Sequence, residues 1–402
     1  METILYDIEI PLIFVLVDME RKGVYVNREK LLEMSKELKH QINLLEGEIF
    51  SLAGKQFNIN SPKQLSEILF VDLGLPSFKK NFSTSADILE KLRGKSEIID
   101  YIIKYREFNK LLTTYVDSLP NQINSKTNRV HTTYLQTGTA TGRLSSINPN
   151  LQNIPIRTEE GKKIREGFEP QKNYSYVAFD YSQIELRLLA HFSEDENLIQ
   201  AFNSNEDIHS YTASLVFNVD IKDVTADQRR KAKAVNFGIL YGQSAFGLSE
   251  QLNITVKDAK NFIETYFARY KRIKPYLEEC IERAQKYKVS HTLTKRQRPI
   301  LEIDNKNPMI RQAAERLAIN TPLQGTAADL IKIAMIKIFA ETKKRDLKGF
   351  MALQIHDELV FEVLDSEVDI FKKFVKEIME NVFKLKVPLT VDIEVGKSLS
   401  EC

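Results

Sequence analysis

Cysteine is almost missing from this 402-residue chain, which carries only Cys280 and Cys402. Two distant thiols exclude a disulfide framework and a cysteine-rich metal site, and they fit a reducing compartment. Long apolar runs are missing too. The longest near the start, Ile10 to Val17, contains Pro11 and falls well short of the ~20 residues that cross a bilayer. It follows Asp7 and Glu9 rather than a basic stretch, so it is a poor secretion signal. No internal repeat or low-complexity tract occurs. Excess charge of one sign is absent: the net value is only +2, so a surface for a polyanion must be local. What remains is an ordinary globular balance, 43% apolar and 28% charged residues. The length allows two or three units with real cores. The expectation is a soluble, cytoplasmic protein that makes no contact with membrane.

Helical spacing dominates the first 120 residues. Leu31, Leu38 and Leu45 form one series and Ile42 and Ile49 another, with Asn27 placed to cap the helix. Ser61-Pro62 marks a second helix start, and residues 97–119 form a long amphipathic stretch. Asn121 to Asn128 is polar and reads as a boundary. Short strands mixed with Gly, Asn and Pro turns follow over 129–180, and residues 194–290 return to helix. A further helix at about 325–343 precedes an apolar hairpin, and a last helix and short strand close the chain. A sheet assembled from separated segments around a helical insertion is an α+β arrangement.

Two acids stand out against that background. Asp180 ends the apolar run Tyr176-Val177-Ala178-Phe179, with a helix expected to begin near Ser182. Asp357 lies between Met351–Ile355 and Leu359–Phe361, at the tip of the expected hairpin, beside His356 and Glu358. Two acids at the ends of adjacent strands can hold two divalent metals, which suits nucleotidyl transfer. The plainer readings are a helix cap for Asp180 and a solvated turn for Asp357.

Between them, Arg229, Lys233, Phe237 and Tyr241 recur at intervals of four. On a helix they lie along one slowly drifting face, two cations followed by two aromatics. That face can grip a triphosphate at one end and stack a base at the other. The alternative is an amphipathic helix with solvated cations and core aromatics. Gly238 and Gly242 weaken such a helix and call for a reason, such as a hinge or the close approach of a ligand. Upstream, the stretches Thr139–Ser146 and Asn148–Pro155 gather small and amide residues around Arg143. Amides and arginine can contact sugar–phosphate and minor-groove base edges, although an ordinary loop has the same composition.

Taken together these segments resemble the family A DNA polymerases, the bacterial DNA polymerase I group. DYSQIELR at 180–187, RRKAKAVNFGILYG at 229–242 and QIHDEL at 354–359 match the family's central motifs. TATGRLSS, NPNLQNIP and NTPLQGTAAD (320–329) are further family segments, and DIEIPL and ERKGV match the start of the polymerase module. The resemblance implies a right-hand fold with an antiparallel-sheet palm and largely helical thumb and fingers. Its parts would be a lead-in segment at 1–20, thumb at 21–125, palm at 126–192 and 320–402, and fingers at 193–319.

It also implies roles. Asp180, Asp357 and the Tyr181 carbonyl would bind two Mg2+ ions, with Mn2+ as a substitute, and Glu358 would support them. Arg229 and Lys233 would grip the dNTP phosphates, with Lys233 donating a proton to the leaving group. Gln183 and His209 would assist at the nucleotide, Phe237 would lie against its sugar and base, and Tyr241 near the templating base. Glu185 would reject a 2′-hydroxyl. Arg143, Arg316, Asn320, Gln324 and His356 would contact the primer–template duplex. The implied activity is template-directed DNA synthesis by a monomer of bacterial or phage-like origin, or of organellar location if the chain is a fragment of a eukaryotic protein. The sequence also leaves open a fragment of a larger replication or repair polymerase, and an enzyme that copies RNA as well.

The chain departs from the family pattern in two places. Where members commonly carry Gly-Arg-Arg, it reads Thr294-Lys295-Arg296-Gln297-Arg298, and Leu399 stands near the usual late tryptophan. No segment for a 3′→5′ exonuclease precedes the module in this sequence, so the expectation is no proofreading. A single-subunit RNA polymerase is disfavoured by Glu185, and a non-catalytic clamp by the intact Asp180, Asp357, Arg229 and Lys233.

Overall fold

The computed structural model describes residues 2–78, 82–156, 158–204 and 206–402. Its strands are short at first. β1 (Val24–Tyr25) pairs with β2 (Arg129–Val130), and β3 (Thr133–Leu135) with β4 (Ser145–Ile147). The long strand β5 (Tyr174–Tyr181) follows. β6 (Val289–His291) and β7 (Gln297–Pro299) form a separate hairpin. β8 (Phe350–Ile355), β9 (Glu358–Leu364) and β10 (Val391–Gly396) complete the main sheet, whose order is β10-β5-β9-β8 with every pair antiparallel. Everything between β5 and β8 is therefore inserted into this sheet, and most of it is helix.

Alternation along β5 and β9 sends side chains to two different cores. Val177, Phe179 and Tyr181, with Leu359, Phe361 and Val363, pack against the helix Val368–Glu380 through Phe371 and Phe374. Phe179 and Phe361 meet edge to face at 5.6 Å. Full burial of one such side chain stabilises by about 1.5–3 kcal/mol, and Phe361→Ala would cost about 3–5 kcal/mol. The opposite face sends Tyr176, Ala178 and Val360 into a second core shared with the helical first 120 residues. One sheet thus serves as the wall between two cores, and its ends are held on both sides.

The first helices form where the sequence places them. Arg28–Ala53 buries Leu31, Leu38, Ile42, Leu45 and Ile49. The Asn27 side chain accepts from the Lys30 N–H at 3.1 Å, and Gly54 at φ 69° ends the helix. The 97–119 stretch is one helix only to Leu111, where a π-type turn (Leu112–Val116) carries the chain on. After β5 the helix begins at Ile184, later than the expected start near Ser182. Gln183 occupies the capping position in a left-handed conformation (φ 56°) and makes no capping hydrogen bond. Asp180 therefore lies inside the strand and caps nothing, which removes its plainer reading.

Candidate active site

Cross-strand pairing builds the floor of the site. Asp180 stands opposite Glu358 on β9 and opposite Asp392 on β10, and directly opposed residues project to the same face. Asp357 sits in the two-residue turn between β8 and β9, and its carbonyl accepts the Tyr181 N–H at 3.3 Å. That turn places His356 at φ 57°, a conformation that residues with side chains rarely adopt. Two glutamines hold it. Gln354 Nε2 donates to the His356 carbonyl at 2.6 Å, and Gln152 Nε2 donates to Gln354 Oε1 at 2.9 Å. On the other side Arg187 fastens the turn after Asp180, donating to the Ser182 carbonyl at 2.9 Å, the Pro388 carbonyl at 2.6 Å and Thr390 Oγ1 at 2.6 Å.

The carboxylates on this floor raise one another's proton affinity. Asp180 is open to the cleft, yet the protein around it strips hydration from the carboxyl. That loss, and then the charges of Asp357, Glu358, Asp392 and Glu394, push it up to about 7. Burial raises Asp357 as well, with Arg143 and His356 pulling the other way. Burial likewise raises Glu358, opposed by the nearby Arg165. Unneutralised hard oxygen donors at this density suit a divalent cation. Among the described residues no group of three or more His, Cys, Asp or Glu side chains could enclose a metal. Two carboxylates and a backbone carbonyl fit instead an ion that draws its other ligands from water and substrate phosphate, as Mg2+ does.

Above the floor the helix Ala226–Leu240 closes a cleft of about 410 Å3. Asp180, Tyr181, Gln183, Glu185, Arg143, His356 and Asp357 line it from below, and Arg229, Lys233, Phe237, Tyr241 and His209 from above. Thr225 and Gln228 form a capping box that starts this helix, so the interval of four delivers both cations and both aromatics to one space. Arg229 donates to Asp207 at 2.6 Å, whereas Lys233 is exposed and forms no ion pair among the described residues. His209 is buried, and its Nδ1 lies 3.0 Å from Asn236 Nδ2. Burial, and the cations of Lys233 and Arg229, lower its pKa to about 4 against the pull of Asp207. It is a neutral imidazole at neutral pH.

Glu185 is buried and bridges floor and roof. Arg143 donates to its Oε1 at 2.6 Å and the Tyr241 hydroxyl to its Oε2 at 2.9 Å. Burial raises the Glu185 carboxyl, while Arg143 and Tyr241 hold it down. Gly242 has φ 63°, a conformation that residues with side chains rarely adopt, and a Cβ there would also stand 3.1 Å from Arg316 Cγ. Gly238 is crowded in turn by the flexible Gln243 side chain. The remaining expected residues lie outside the cleft. Arg316, Asn320 and Gln324 follow at intervals of four along the helix Pro308–Asn320 and the π-type turn after it, with Asn320 Oδ1 buried and without a hydrogen-bond partner among the described residues. Glu358 stays one strand away from it. Gln152, Gln354, Arg187 and Asp392 are the contributors that sequence reading missed. Gln152, Gln354 and Arg187 lay within segments that were singled out, and Asp392 lay in none.

Comparison with known proteins agrees with this construction. The family model for DNA polymerase family A matches residues 28–401. The chain is 51% identical over 393 residues to DNA polymerase I of Caldicellulosiruptor bescii, covering 97% of this chain and 46% of the relative. It is 49% identical over 396 residues to DNA polymerase I of Bacillus subtilis, covering 98% and 45%. It thus spans a little under half the length of these relatives. The polymerase domain of Pol1 from M. smegmatis, solved in complex with a DNA primer–template and dNTP, superposes with a TM-score of 0.95 at 41% identity, covering 99% of this chain and 71% of that one. Among the described residues no helix is long and apolar enough to cross a membrane. The chain belongs to DNA polymerase family A.

Proposed function

We propose that this chain is the catalytic module of a DNA-directed DNA polymerase, adding dNMPs to a primer 3′-hydroxyl with release of pyrophosphate. The observation that carries the proposal is the single cleft in which Asp180 and Asp357 face Arg229, Lys233 and His209. A triphosphate would meet the cations directly and the carboxylates through divalent metal.

Asp180, Asp357 and the Tyr181 carbonyl would hold two Mg2+ ions, with Mn2+ able to replace them. Bound there, the ions supply Lewis acidity that favours the alkoxide of the 3′-hydroxyl and neutralises the departing pyrophosphate. Glu358 adds negative charge to the same floor from one strand away. Arg229 releases Asp207 to take triphosphate oxygens, and Lys233, without an ion pair among the described residues, binds beside it and protonates the leaving group. The neutral His209 offers a ring N–H donor, and Gln183 a polar contact from below. Phe237 packs on the sugar and base. Tyr241 covers the template position. Glu185, fixed between Arg143 and Tyr241, leaves no room for a 2′-hydroxyl. Arg143 and His356 from the cleft, with Arg316, Asn320 and Gln324 along one helical face, contact the primer–template duplex.

In this arrangement residues 1–20 lead in to the module, 21–125 form the thumb, 126–192 and 320–402 the palm, and 193–319 the fingers. Primer extension with Mg2+ on DNA and RNA templates, with dNTPs and with NTPs, tests the proposal. Extension with dNTPs on DNA is expected. Binding of primer–template without extension would refute it.

A further inference from the structure

Glu9 lies in the lead-in segment, away from the cleft, and none of the chemistry above uses it. Its side chain is nonetheless the hub of a buried cluster. Lys332 Nζ donates to Glu9 Oε1 at 2.8 Å, and the Arg296 guanidinium donates to the same oxygen. Gln136 Nε2 donates to Oε2 at 2.6 Å and to the Glu9 carbonyl at 2.8 Å. Asp329 grips Arg296 from the far side, with Nε to Oδ1 at 2.7 Å, and both Asp329 and Lys332 are fully buried. Burial raises the Glu9 carboxyl, but Lys332 and Arg296 outweigh it and hold Glu9 below the usual range. Charges this deep persist only where each one is paired.

Two of Glu9's partners take hold of one loop from its two ends. Gln136 begins that loop. Arg296 lies flat on Gly142 (φ 85°), where a Cβ would stand 2.7 Å from Arg296 Nε and 2.8 Å from its Cδ. Thr139 Oγ1 closes the loop on itself by donating to the Arg143 carbonyl at 2.8 Å. The residue after Gly142 is Arg143, which holds Glu185 and through it Tyr241.

We propose that Glu9 is a positioning residue for Arg143. By fastening Gln136 at one end of the loop and Arg296 against Gly142 at the other, it fixes where the Arg143 guanidinium sits. The proposal rests on the reading of Arg143 as a contact to the primer–template duplex, taken as a minor-groove contact at the primer end, and it makes the lead-in segment part of that contact.

Extension rates from a primer ending in guanine and from one ending in 3-deazaguanine test it, because the analogue removes a minor-groove acceptor and keeps the base pair. The native protein should slow on the analogue by about ten-fold or more, the scale of a hydrogen bond to a charged group. Arg143→Ala should erase the difference. Glu9→Ala should shrink it to about three-fold or less with Arg143 still present. Arg296→Lys should do the same, because a single ammonium cannot serve both acids and cover Gly142; it carries the test if Glu9→Ala does not fold. Lys332→Met removes one cation from Glu9 and spares both loop contacts, so it should lower Tm and keep the native difference. Full primer-end sensitivity in a folded Glu9→Ala or Arg296→Lys would overturn the proposal, as would an equal loss in Lys332→Met. Undiminished sensitivity in Arg143→Ala would overturn the reading of Arg143 and the proposal with it, an outcome distinct from the others.

Discussion

Removing the Arg129 guanidinium should cost far more than its place on a two-residue strand implies. Arg129 sits on β2 and reaches the main sheet, where Glu362 on β9 is fully buried. The two form a bidentate pair, with NH1 at 3.3 Å from Oε1 and NH2 against Oε2. Arg129 also donates from Nε to the Gly23 carbonyl at 3.2 Å and lies over the Phe350 ring at 5.4 Å. With Arg129→Met, Glu362 retains one donor among the described residues, the Gln171 N–H at 3.0 Å. A buried carboxylate left in that state costs about 3–5 kcal/mol. Glu362→Met is the milder change, because Arg129 keeps 12% exposure, the Gly23 carbonyl and the ring; about 1–3 kcal/mol is expected. The double variant should be less destabilised than Arg129→Met alone, since no charge remains stranded. Urea unfolding of the four proteins at constant slope gives the coupling directly. A loss under about 1 kcal/mol for Arg129→Met, or a double variant that costs as much as the sum of the singles, would show that water reaches Glu362 and that the reasoning fails.

Other outcomes bear on the cleft. Asp357→Ala should abolish extension and leave primer–template binding largely intact, as read by turnover and by a gel-shift titration. Glu185→Ala should narrow the preference for dNTPs over NTPs, and it should also slow dNTP addition, because Arg143 and Tyr241 lose their shared partner. Phe237→Tyr should ease dideoxynucleotide incorporation, since a phenolic hydroxyl can replace the missing 3′ contact; competition between ddNTP and dNTP measures this. Asp207→Asn retains a cap for the helix Ile208–Phe217 but frees Arg229. Loss of that exposed pair should lower the dNTP KM by about 1.5- to 5-fold. Glu9 titrates below its unfolded value. Its contribution is therefore present above about pH 4.3 and is lost as pH falls through the depressed value. Glu9→Gln should flatten that acid limb in urea midpoints taken from about pH 5 to pH 2.

Elements specified by neighbours in sequence were legible in the residues alone. The Asn27 cap, the Ser61-Pro62 start, the interval of four from Arg229 to Tyr241 and the hairpin at Asp357 all depend on local chemistry. What escaped depends on partners brought together from afar. Arg129 and Glu362, or Glu9 and Lys332, are hundreds of residues apart, and nothing in either segment marks the other. The start of the helix at Ile184 was misplaced because the turn is fixed by Arg187 reaching Pro388 and Thr390, and Ser182 donates to Asp392 instead of capping. The glycines after Phe237 called for a hinge or a ligand on sequence alone, and in the fold Gly238 abuts the Gln243 side chain while Gly242 takes a left-handed backbone beside Arg316. Arg296 kept its charge where the usual glycine is lost, and only the fold shows that charge spent on Glu9 and Asp329.

The order β10-β5-β9-β8 bears on how the molecule is made. During synthesis Asp180 emerges first, and the inserted helices follow while β5 has no partner on either side. β9 arrives only at Glu358 and β10 only at Val391. Until then β5 offers two open edges of mostly buried-type residues, the kind of surface that pairs with other chains. A ribosome-bound product can therefore display the finished helix Ala226–Leu240 before Asp180 has a neighbour on either side. Closure of the sheet by β10 is at once the end of that exposure and the moment at which Asp180 acquires Asp392 beside it.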